Sequence, residues 1–442
     1  MLNRNVPRYT SYPTAPHFGR SVGPDVYRSW LDSLREDASL SLYLHVPFCA
    51  QLCLYCGCNT KVTLRRPPIE AYAERLIGEI GLVAGEAGRR RIAHLHWGGG
   101  TPSILGPEGL SKIHATLAAA FNLDDIGEHA IELDPRHVTR PLARALAQIG
   151  VNRTSLGVQD LNVSVQNAIG RIQPFETVKN AVAMLAEAGI TKINFDLMYG
   201  LPRQSVNDIL ETIRQAHTLS PNRLAVFGYA HVPWMKSHQR LIDEAALPGF
   251  GERQAQATAA HAALVELGYQ PIGLDHYAHR DDELAVAASN GRIRRNFQGY
   301  TTDQADALIG LGASAIGRLP PGYVQNAPDI AGYSRAIESG RFATVRGMAI
   351  SADDRLRGRV IERLMCDMSI DLDAVASEAG AGPRNHFADE LKSLTPFERD
   401  GLVTIEGHRI KVTEKGRPFV RILASAFDAY LQEMPARHSL AV

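Results

Sequence analysis

Ser41-Leu-Tyr-Leu-His-Val-Pro-Phe-Cys49-Ala-Gln-Leu-Cys53-Leu-Tyr-Cys56-Gly-Cys58 joins a short apolar strand to four of the chain's five cysteines. Cysteines placed for core packing would not crowd in this way. The spacing Cys-x3-Cys-x2-Cys leaves loops too tight for disulfides and well shaped for thiolates that converge on one metal centre. A strand that runs straight into such a loop places chemistry at a strand end, and the chain downstream repeats the strand pattern.

The strand over 41–46 is followed by strands predicted over 92–97, 129–133, 153–158, 192–197 and 223–229. Helices are predicted between them over 70–84, 107–121, 141–149, 176–188 and 206–219. Pro67 and Pro68 introduce the first helix, where a missing N–H is tolerated. Strands alternating with helices argue for parallel βαβ units. Functional-looking residues at the strands' C-terminal ends favour a barrel, whose sites sit on that face. Six units rather than eight point to a partial, open (βα)6 TIM-like barrel of the α/β class, with a doubly wound sheet as the alternative.

Further outward the chain is less regular. Residues 1–20 are rich in proline, tyrosine and serine, and Arg8-Tyr-Thr-Ser-Tyr-Pro-Thr14 reads as an extended arm, ordered against the body through Tyr9, Tyr12 and Phe18. Residues 230–340 read as longer, irregular segments. From about Ser351 the pattern becomes helical, and 402–413 reads as a hairpin turning near Gly407, before a final helix from about Glu414. Helices plus a hairpin resemble a winged-helix module. The expected division is an arm over the active site (1–35), a partial barrel with extension (36–340) and a smaller, mostly helical C-terminal domain (341–442). Lys+Arg and Asp+Glu both number 47, so net charge offers nothing toward nucleic acid or an anionic membrane. No apolar run reaches membrane-spanning length, the first residues lack a signal core, and few, clustered cysteines suit a reducing compartment. The expectation is a cytoplasmic enzyme.

The chemistry starts from the cysteine triad. Three thiolates around a four-iron cluster leave one iron without a protein ligand, and an open iron is where chemistry can happen. A structural zinc site draws four ligands from two separated pairs; no second pair exists, although Cys58 could complete a local zinc site, so zinc stays open. Cys366 stands alone and reads as buried packing. Gly98-Gly-Gly-Thr-Pro102 follows the second strand, where glycines let backbone groups approach a ligand. Glu132 ends the third strand, Gln159 the fourth, Asp196 lies in the fifth and Ala230 closes the sixth, positions that would share one pocket.

At these residues the sequence resembles the radical S-adenosylmethionine superfamily. With Cys58, the arm 8–14, Gly98–Pro102 and Phe297-Gln-Gly-Tyr300, it is similar to the oxygen-independent coproporphyrinogen III oxidase (dehydrogenase) family over most of its length. The resemblance implies a 4Fe-4S cluster on Cys49, Cys53 and Cys56. Its open iron would take the amino and carboxylate groups of S-adenosylmethionine, and one electron would release a 5′-deoxyadenosyl radical. It further implies contacts to S-adenosylmethionine from Gly99, Gly100, Thr101 and Glu132, with Tyr43 and Ile316 on the first of two molecules. Tyr55, Gly100, Thr101, Gln159, Arg171, Asp196 and Ala230 would serve the second. Arg171 taken by itself would be a surface helix charge, and Cys58 is placed beside the site without binding iron.

The implied reaction is oxidative decarboxylation of the ring A and ring B propionates of coproporphyrinogen III to vinyl groups in haem biosynthesis. It needs an electron donor and a terminal acceptor that the sequence leaves unidentified, in a protein expected to be a monomer. Four propionates call for cations, and Arg8, Arg292, Arg294 and Arg295 are candidates, with Tyr9 as a substrate-side residue. His94 and His96 share a face of their strand and suit structural hydrogen bonding. The rivals are a haem-binding chaperone of the same superfamily, which would lack Cys58 and the arm, and a zinc-stabilised nucleic-acid-binding protein.

Overall fold

The computed structural model describes residues 5–378 and 386–431; the first four residues of the arm, 379–385 and the last eleven residues of the C-terminal domain lie outside them. Six parallel strands, Leu40–Val46, Ile92–Gly99, Glu128–Leu133, Arg153–Gln159, Lys192–Tyr199 and Arg223–Gly228, stand side by side in that order. The helices Arg66–Ala87, Gly106–Ala120, Arg140–Gln148, Phe175–Glu187 and Val206–His217 connect them. The expected strand and helix boundaries hold to within a few residues.

The region read as irregular is more regular than its sequence suggests. Ala307–Leu311 adds a seventh parallel strand beside Leu40–Val46, and the antiparallel strands Ile316–Leu319, Gly322–Asn326 and Thr344–Ala349 extend that edge. His276–Ala278 and Gln270–Ile272 extend the other edge, giving an open sheet of twelve strands. These added strands are short, and those from Ala307 onward carry glycine, which weakens any period-2 signal. Phe250–Glu266 is a helix of 17 residues whose buried positions are Arg253, Gln256, Ala260 and Leu264. Their spacing is helical, but polar residues occupy half of the buried positions, so apolar periodicity misses it.

The strands alternate in a way that sets up the site. Leu40, Leu42, Leu44 and Val46 pack outward among the helices, while Ser41, Tyr43 and His45 are the alternate positions. Repeated around the barrel, this puts Ser41, His94, His96, Glu132, Ser155, Asn194 and Asp196 around one inner cavity of about 240 Å³. The barrel has an apolar jacket and a polar lumen.

A second hydrophobic core forms between the helix Ala352–Asp367 and the C-terminal residues, with Val6, Tyr9 and Tyr12 of the arm inside it. The hairpin Val403–Glu406/Arg409–Val412 turns at Gly407, whose φ of +61° suits glycine, and Ser369–Asp371 makes it a three-stranded sheet. The single final helix expected from Glu414 is instead a short helix, Val420–Ala424, flanked by 3-10 turns at Arg417–Phe419 and Ser425–Phe427. Pro418 helps to break it, because proline removes a backbone donor. Tyr9, expected on the substrate side, is 4% exposed and its hydroxyl donates to Asp428 Oδ2 at 3.0 Å within the second core.

Candidate functional site

The loop after the first strand is pinned from three sides. Phe48–Cys49 pairs in parallel with Lys61–Val62. Gly100 N donates to Val46 O and Thr101 N to Phe48 O, each at 2.8 Å. From the far side of the barrel, His238 Nε2 lies 2.7 Å from Cys56 O, Lys236 Nζ donates to Cys58 O at 2.8 Å, and Gln239 Nε2 donates to Tyr55 O at 2.9 Å and Ala230 O at 3.3 Å. That strap, around the 3-10 turn Ser237–Leu241, was not anticipated; nothing periodic in its sequence marks it.

The glycine stretch serves the loop itself. A Cβ on Gly100 would stand 2.5 Å from Phe48 O and 3.0 Å from Cys49 Sγ, and one on Gly98 would meet Glu132 Oε1 at 2.8 Å and the Tyr43 ring at 2.9 Å. Besides the ligand approach expected of them, these glycines allow close packing on the Phe48 backbone, the Cys49 sulfur and the third strand's carboxylate. A side chain at Gly100 would push against Phe48 and Cys49.

Cys49 is half-buried with Sγ 3.5 Å from Thr101 Oγ1, and burial pushes its thiol up to about 11. Cys53 is buried, with Arg171 Nη1 at 3.4 Å and Arg136 Nη2 at 3.9 Å from its sulfur. A hydrogen bond from Cys58 pulls the Cys56 thiol down to about 6 despite burial. Cys366 is far from this loop in the chain and lies in a separate buried cluster. Among the described residues no three His, Cys, Asp or Glu side chains surround a single ion; cysteines on separate irons of a cluster stand further apart than ligands of one ion.

Arg171 is not a surface charge. It is 6% exposed, donates through Nη2 to Gly157 O at 2.7 Å and through Nη1 to Asp134 Oδ2 at 3.3 Å, and its Nε is buried without a hydrogen-bond partner among the described residues. Asp134 caps the turn Pro135–His137 and pairs with Arg136 at 2.6 Å. Burial opposes its charge, but the bonds from Arg136 and the charge of Arg171 hold its carboxyl below the usual range. Arg136 is a site residue that the sequence analysis missed; its place directly after the Asp-Pro that ends the third strand was the available signal.

Glu132 Oε2 accepts from Gly99 N at 3.2 Å and Oε1 lies 3.2 Å from His96 Nε2. Tyr43 OH lies 3.1 Å from His45 Nδ1, and Ile316 begins the strand whose backbone crowds Gly310, the neighbour of Tyr43 across the sheet. Gln159 ends the fourth strand at a register shift with φ of +67°, a strained conformation for a side chain of its size. Asp196 accepts from Ser155 Oγ at 2.8 Å and Asn194 Nδ2 at 2.9 Å. Burial, reinforced by the charge of Glu132, pushes it up to about 6 against those bonds. Asn296, Gln298 and Tyr300, from the short pair Arg294–Asn296/Gly299–Thr301, close the lumen cavity from the side.

These features fit an iron–sulfur cluster and an anionic, hydroxyl-bearing cofactor. Three cysteines are presented by one pinned loop, glycines clear the space beside Cys49, and the orphaned Arg171 Nε supplies an unused donor next to Cys53.

Comparison with known proteins agrees with the geometry. The Radical SAM superfamily model matches residues 43–216 and the HemN C-terminal domain model residues 350–419. The chain is 49% identical over 438 residues to the oxygen-independent coproporphyrinogen III oxidase of Bradyrhizobium diazoefficiens, covering 99% of this chain and 97% of that protein. It is 42% identical to the enzyme of the same name from Paracoccus denitrificans, covering 100% and 98%. The solved structure of coproporphyrinogen III oxidase (HemN) from Escherichia coli, described as a radical SAM enzyme, superposes with a TM-score of 0.91 at 38% identity, over 97% of this chain and all of that one. A barrel mouth that gathers three cysteines, a glycine stretch and two carboxylates, on a chain alike over its whole length to these proteins, belongs to the oxygen-independent coproporphyrinogen III oxidase family of the radical SAM superfamily.

Proposed function

We infer that this chain is an oxidoreductase that converts coproporphyrinogen III to protoporphyrinogen IX without oxygen, in haem biosynthesis, using a 4Fe-4S cluster and S-adenosylmethionine. The observation that carries the inference is the end-to-end likeness to proteins of that name, joined to a three-cysteine loop pinned at the barrel mouth. The bound cofactors supply one-electron cleavage of the sulfonium and with it a hydrogen-abstracting species. At each of the ring A and ring B propionates a hydrogen atom leaves the β-carbon, one electron passes to a terminal acceptor and carbon dioxide departs, leaving a vinyl group.

The chain's own part is to hold and orient. Cys49, Cys53 and Cys56 are proposed as the cluster ligands, with Cys58 as a hydrogen-bonding neighbour. Tyr43, Gly99, Glu132 and Ile316 are proposed for the first S-adenosylmethionine, and Tyr55, Gly100, Thr101, Gln159, Arg171, Asp196 and Ala230 for the second. Arg171 Nε offers a carboxylate a donor that has no other partner, and Asp196 offers an acceptor to hydroxyls or an ammonium. The division at 1–35, 36–340 and 341–442 is proposed with one displacement, since Thr344–Ala349 pairs in the large sheet. No described helix is long and apolar enough to cross a membrane; a cytoplasmic monomer served by a separate electron donor is the setting proposed.

The test is anaerobic incubation of reconstituted protein with reductant, S-adenosylmethionine and coproporphyrinogen III, with separation of the oxidised products. Protoporphyrin is the expected product. Cleavage of S-adenosylmethionine without it sinks the substrate assignment.

Asp196 gives this activity a pH signature. Its carboxyl is pushed up to about 6, so the ionised acceptor is lost as pH falls through 6 rather than through the usual carboxylate range near 4. The apparent affinity for S-adenosylmethionine is expected to weaken severalfold across that interval. Asp196→Asn is expected to be weak at every pH, with the inflection gone. An inflection that survives in Asp196→Asn assigns the titration to another group.

A further inference from the structure

Four segments distant in sequence bring guanidinium groups to one cavity. Arg8 comes from the arm, Arg253 from the helix Phe250–Glu266, Arg295 from the strand Arg294–Asn296 and Arg421 from the helix Val420–Ala424. The cavity has a volume of about 340 Å³ and is lined by Tyr199 and Gly228, the last residues of the fifth and sixth barrel strands. It therefore stands at the same end of the barrel as the cysteine loop, and Phe227 lines both it and the lumen.

Among the described residues, and with Lys415 and Arg417, the lining holds six cations against two carboxylates; Asp275 lies 2.8 Å from His276 Nδ1 and also faces the charges of Arg295 and Arg8, and Glu414 pairs with Arg417 at 3.1 Å. Arg421 is 6% exposed and donates to the carbonyls of Val6 and Pro7; burial and repulsion from Arg8 and Arg295 pull its guanidinium down to about 10. Arg295 lies 4.5 Å over the Tyr300 ring and donates through Nη2 to Arg8 O at 3.3 Å, with Nε and Nη1 buried and, among the described residues, without hydrogen-bond partners. Burying the Arg295 guanidinium with two of its nitrogens unsatisfied is unfavourable unless an anion meets it. Arg294, by contrast, is ion-paired with Glu362 at 3.3 Å and does not line this cavity, and Arg292 is exposed.

We propose that this cavity is a dicarboxylate subsite that holds the ring C and ring D propionates of the tetrapyrrole, the two that survive the reaction. The proposal rests on the coproporphyrinogen reading and specifies how that substrate is oriented. In the type III isomer these propionates flank a single bridge carbon and form one doubly charged edge. The propionates of rings A and B are thereby left free to reach the barrel mouth. Guanidinium matches carboxylate in planar, paired hydrogen bonds, and the apolar walls Val226, Phe227 and Leu274 suit the adjoining pyrroles.

Mesoporphyrin IX, which carries carboxylates on rings C and D alone, isolates this edge, and its dimethyl ester removes the charge. Binding of both to the reconstituted full chain is followed by fluorescence quenching. The wild type is expected to bind the acid at least about tenfold more tightly than the ester. Arg8→Gln and Arg295→Gln are each expected to weaken the acid by roughly ten- to a hundredfold and to leave the ester unchanged, with Arg295→Lys recovering part of the loss. Arg8 is exposed, with a long 3.4 Å bond to Gly228 O, so its replacement leaves the packing intact. Equal affinities for acid and ester in the wild type, or unchanged acid binding in both glutamine variants, overturn the subsite. Wild-type turnover of coproporphyrinogen III separates the two claims: product formation with indifferent arginines sinks the subsite alone, and no product sinks the reading beneath it.

Discussion

Alanine at Cys53 is expected to abolish iron retention and turnover, whereas serine at Cys58 is expected to leave the cluster assembled. Cys53 is buried, and its sulfur has guanidinium nitrogens of Arg171 and Arg136 at 3.4 and 3.9 Å. Two cations converging there suit the charge that a metal-bound thiolate would carry in a dry place. Under the proposed assignment, removing the sulfur takes away one of three ligands and leaves the guanidiniums facing a void. Cys58 differs, because its contribution is a hydrogen bond to Cys56, which a serine hydroxyl can also donate. After anaerobic reconstitution the wild type and Cys58→Ser should each hold about four irons per chain, and Cys53→Ala less than about one. Iron loss in Cys58→Ser makes Cys58 a ligand and overturns the division of the four cysteines; iron retained by Cys53→Ala removes Cys53 from the cluster.

What the sequence revealed follows from where its signals are local. The six barrel strands and five helices were legible because each is a compact apolar run, closed by proline, glycine or a capping residue. Ser205 and Asp208, for instance, form a capping box at the start of Val206–His217. The cysteine triad and Gly98–Thr101 were legible because their chemistry lies in consecutive residues. The helix Phe250–Glu266 was not, since it buries Arg253 and Gln256 toward a polar cavity, and the glycine-bearing strands from Ala307 onward were hidden by weak alternation. Contacts between distant residues were out of reach altogether. The sequence does not tell that Tyr9 serves the second core, that Lys236, His238 and Gln239 strap the cysteine loop, or that the convergent arginines include Arg253 and Arg421 but not Arg294. Arg171 is the instructive residue between these classes. Resemblance marked it as a ligand contact, but its burial against Cys53 and Asp134 explains why a cation is needed there.

Glu128→Ala is expected to destabilise the barrel by about 3–5 kcal/mol, a large part of the 5–15 kcal/mol typical of a folded domain. The lumen that holds Glu132 and Asp196 at its mouth is charged at its other end as well. Glu128 Oε2 accepts from Arg153 Nε at 2.8 Å and Arg223 Nη1 at 3.2 Å, and Asp282 accepts from Arg223 Nε at 2.6 Å and Arg153 Nη2 at 3.4 Å. All four side chains are at most 14% exposed. Two anions and two cations close the barrel as a neutral quartet, and Asp282 also accepts from Leu284 N at the start of the helix Glu283–Ser289. Among the described residues Arg153 Nη1 and Arg223 Nη2 have no hydrogen-bond partner even here, so deleting Glu128 leaves two buried guanidiniums with Asp282 and the more distant, exposed Glu283 at 3.8 Å from Arg153. The first thermal transition should fall by on the order of 5–10 °C. The pH dependence separates charge from shape. Burial opposes ionisation of Glu128, but Arg223 and Arg153 hold it down to about 2. A carboxyl depressed on folding stabilises at pH values above its unfolded value near 4.5, and that contribution is lost as pH falls toward 2. The gap in stability between the wild type and the nearly isosteric Glu128→Gln should therefore be constant from neutral pH to about 5 and narrow below it. A gap of less than about 1 kcal/mol at neutral pH means that the quartet is not what fastens the strands. Because Glu128 and Glu132 lie on one strand, Glu128–Leu133, loosening this end should also blur the placement of Glu132. Wild-type-like cofactor affinity in a destabilised Glu128→Gln would show that the mouth is held by its own bonds, from Gly99 N and the His96 ring.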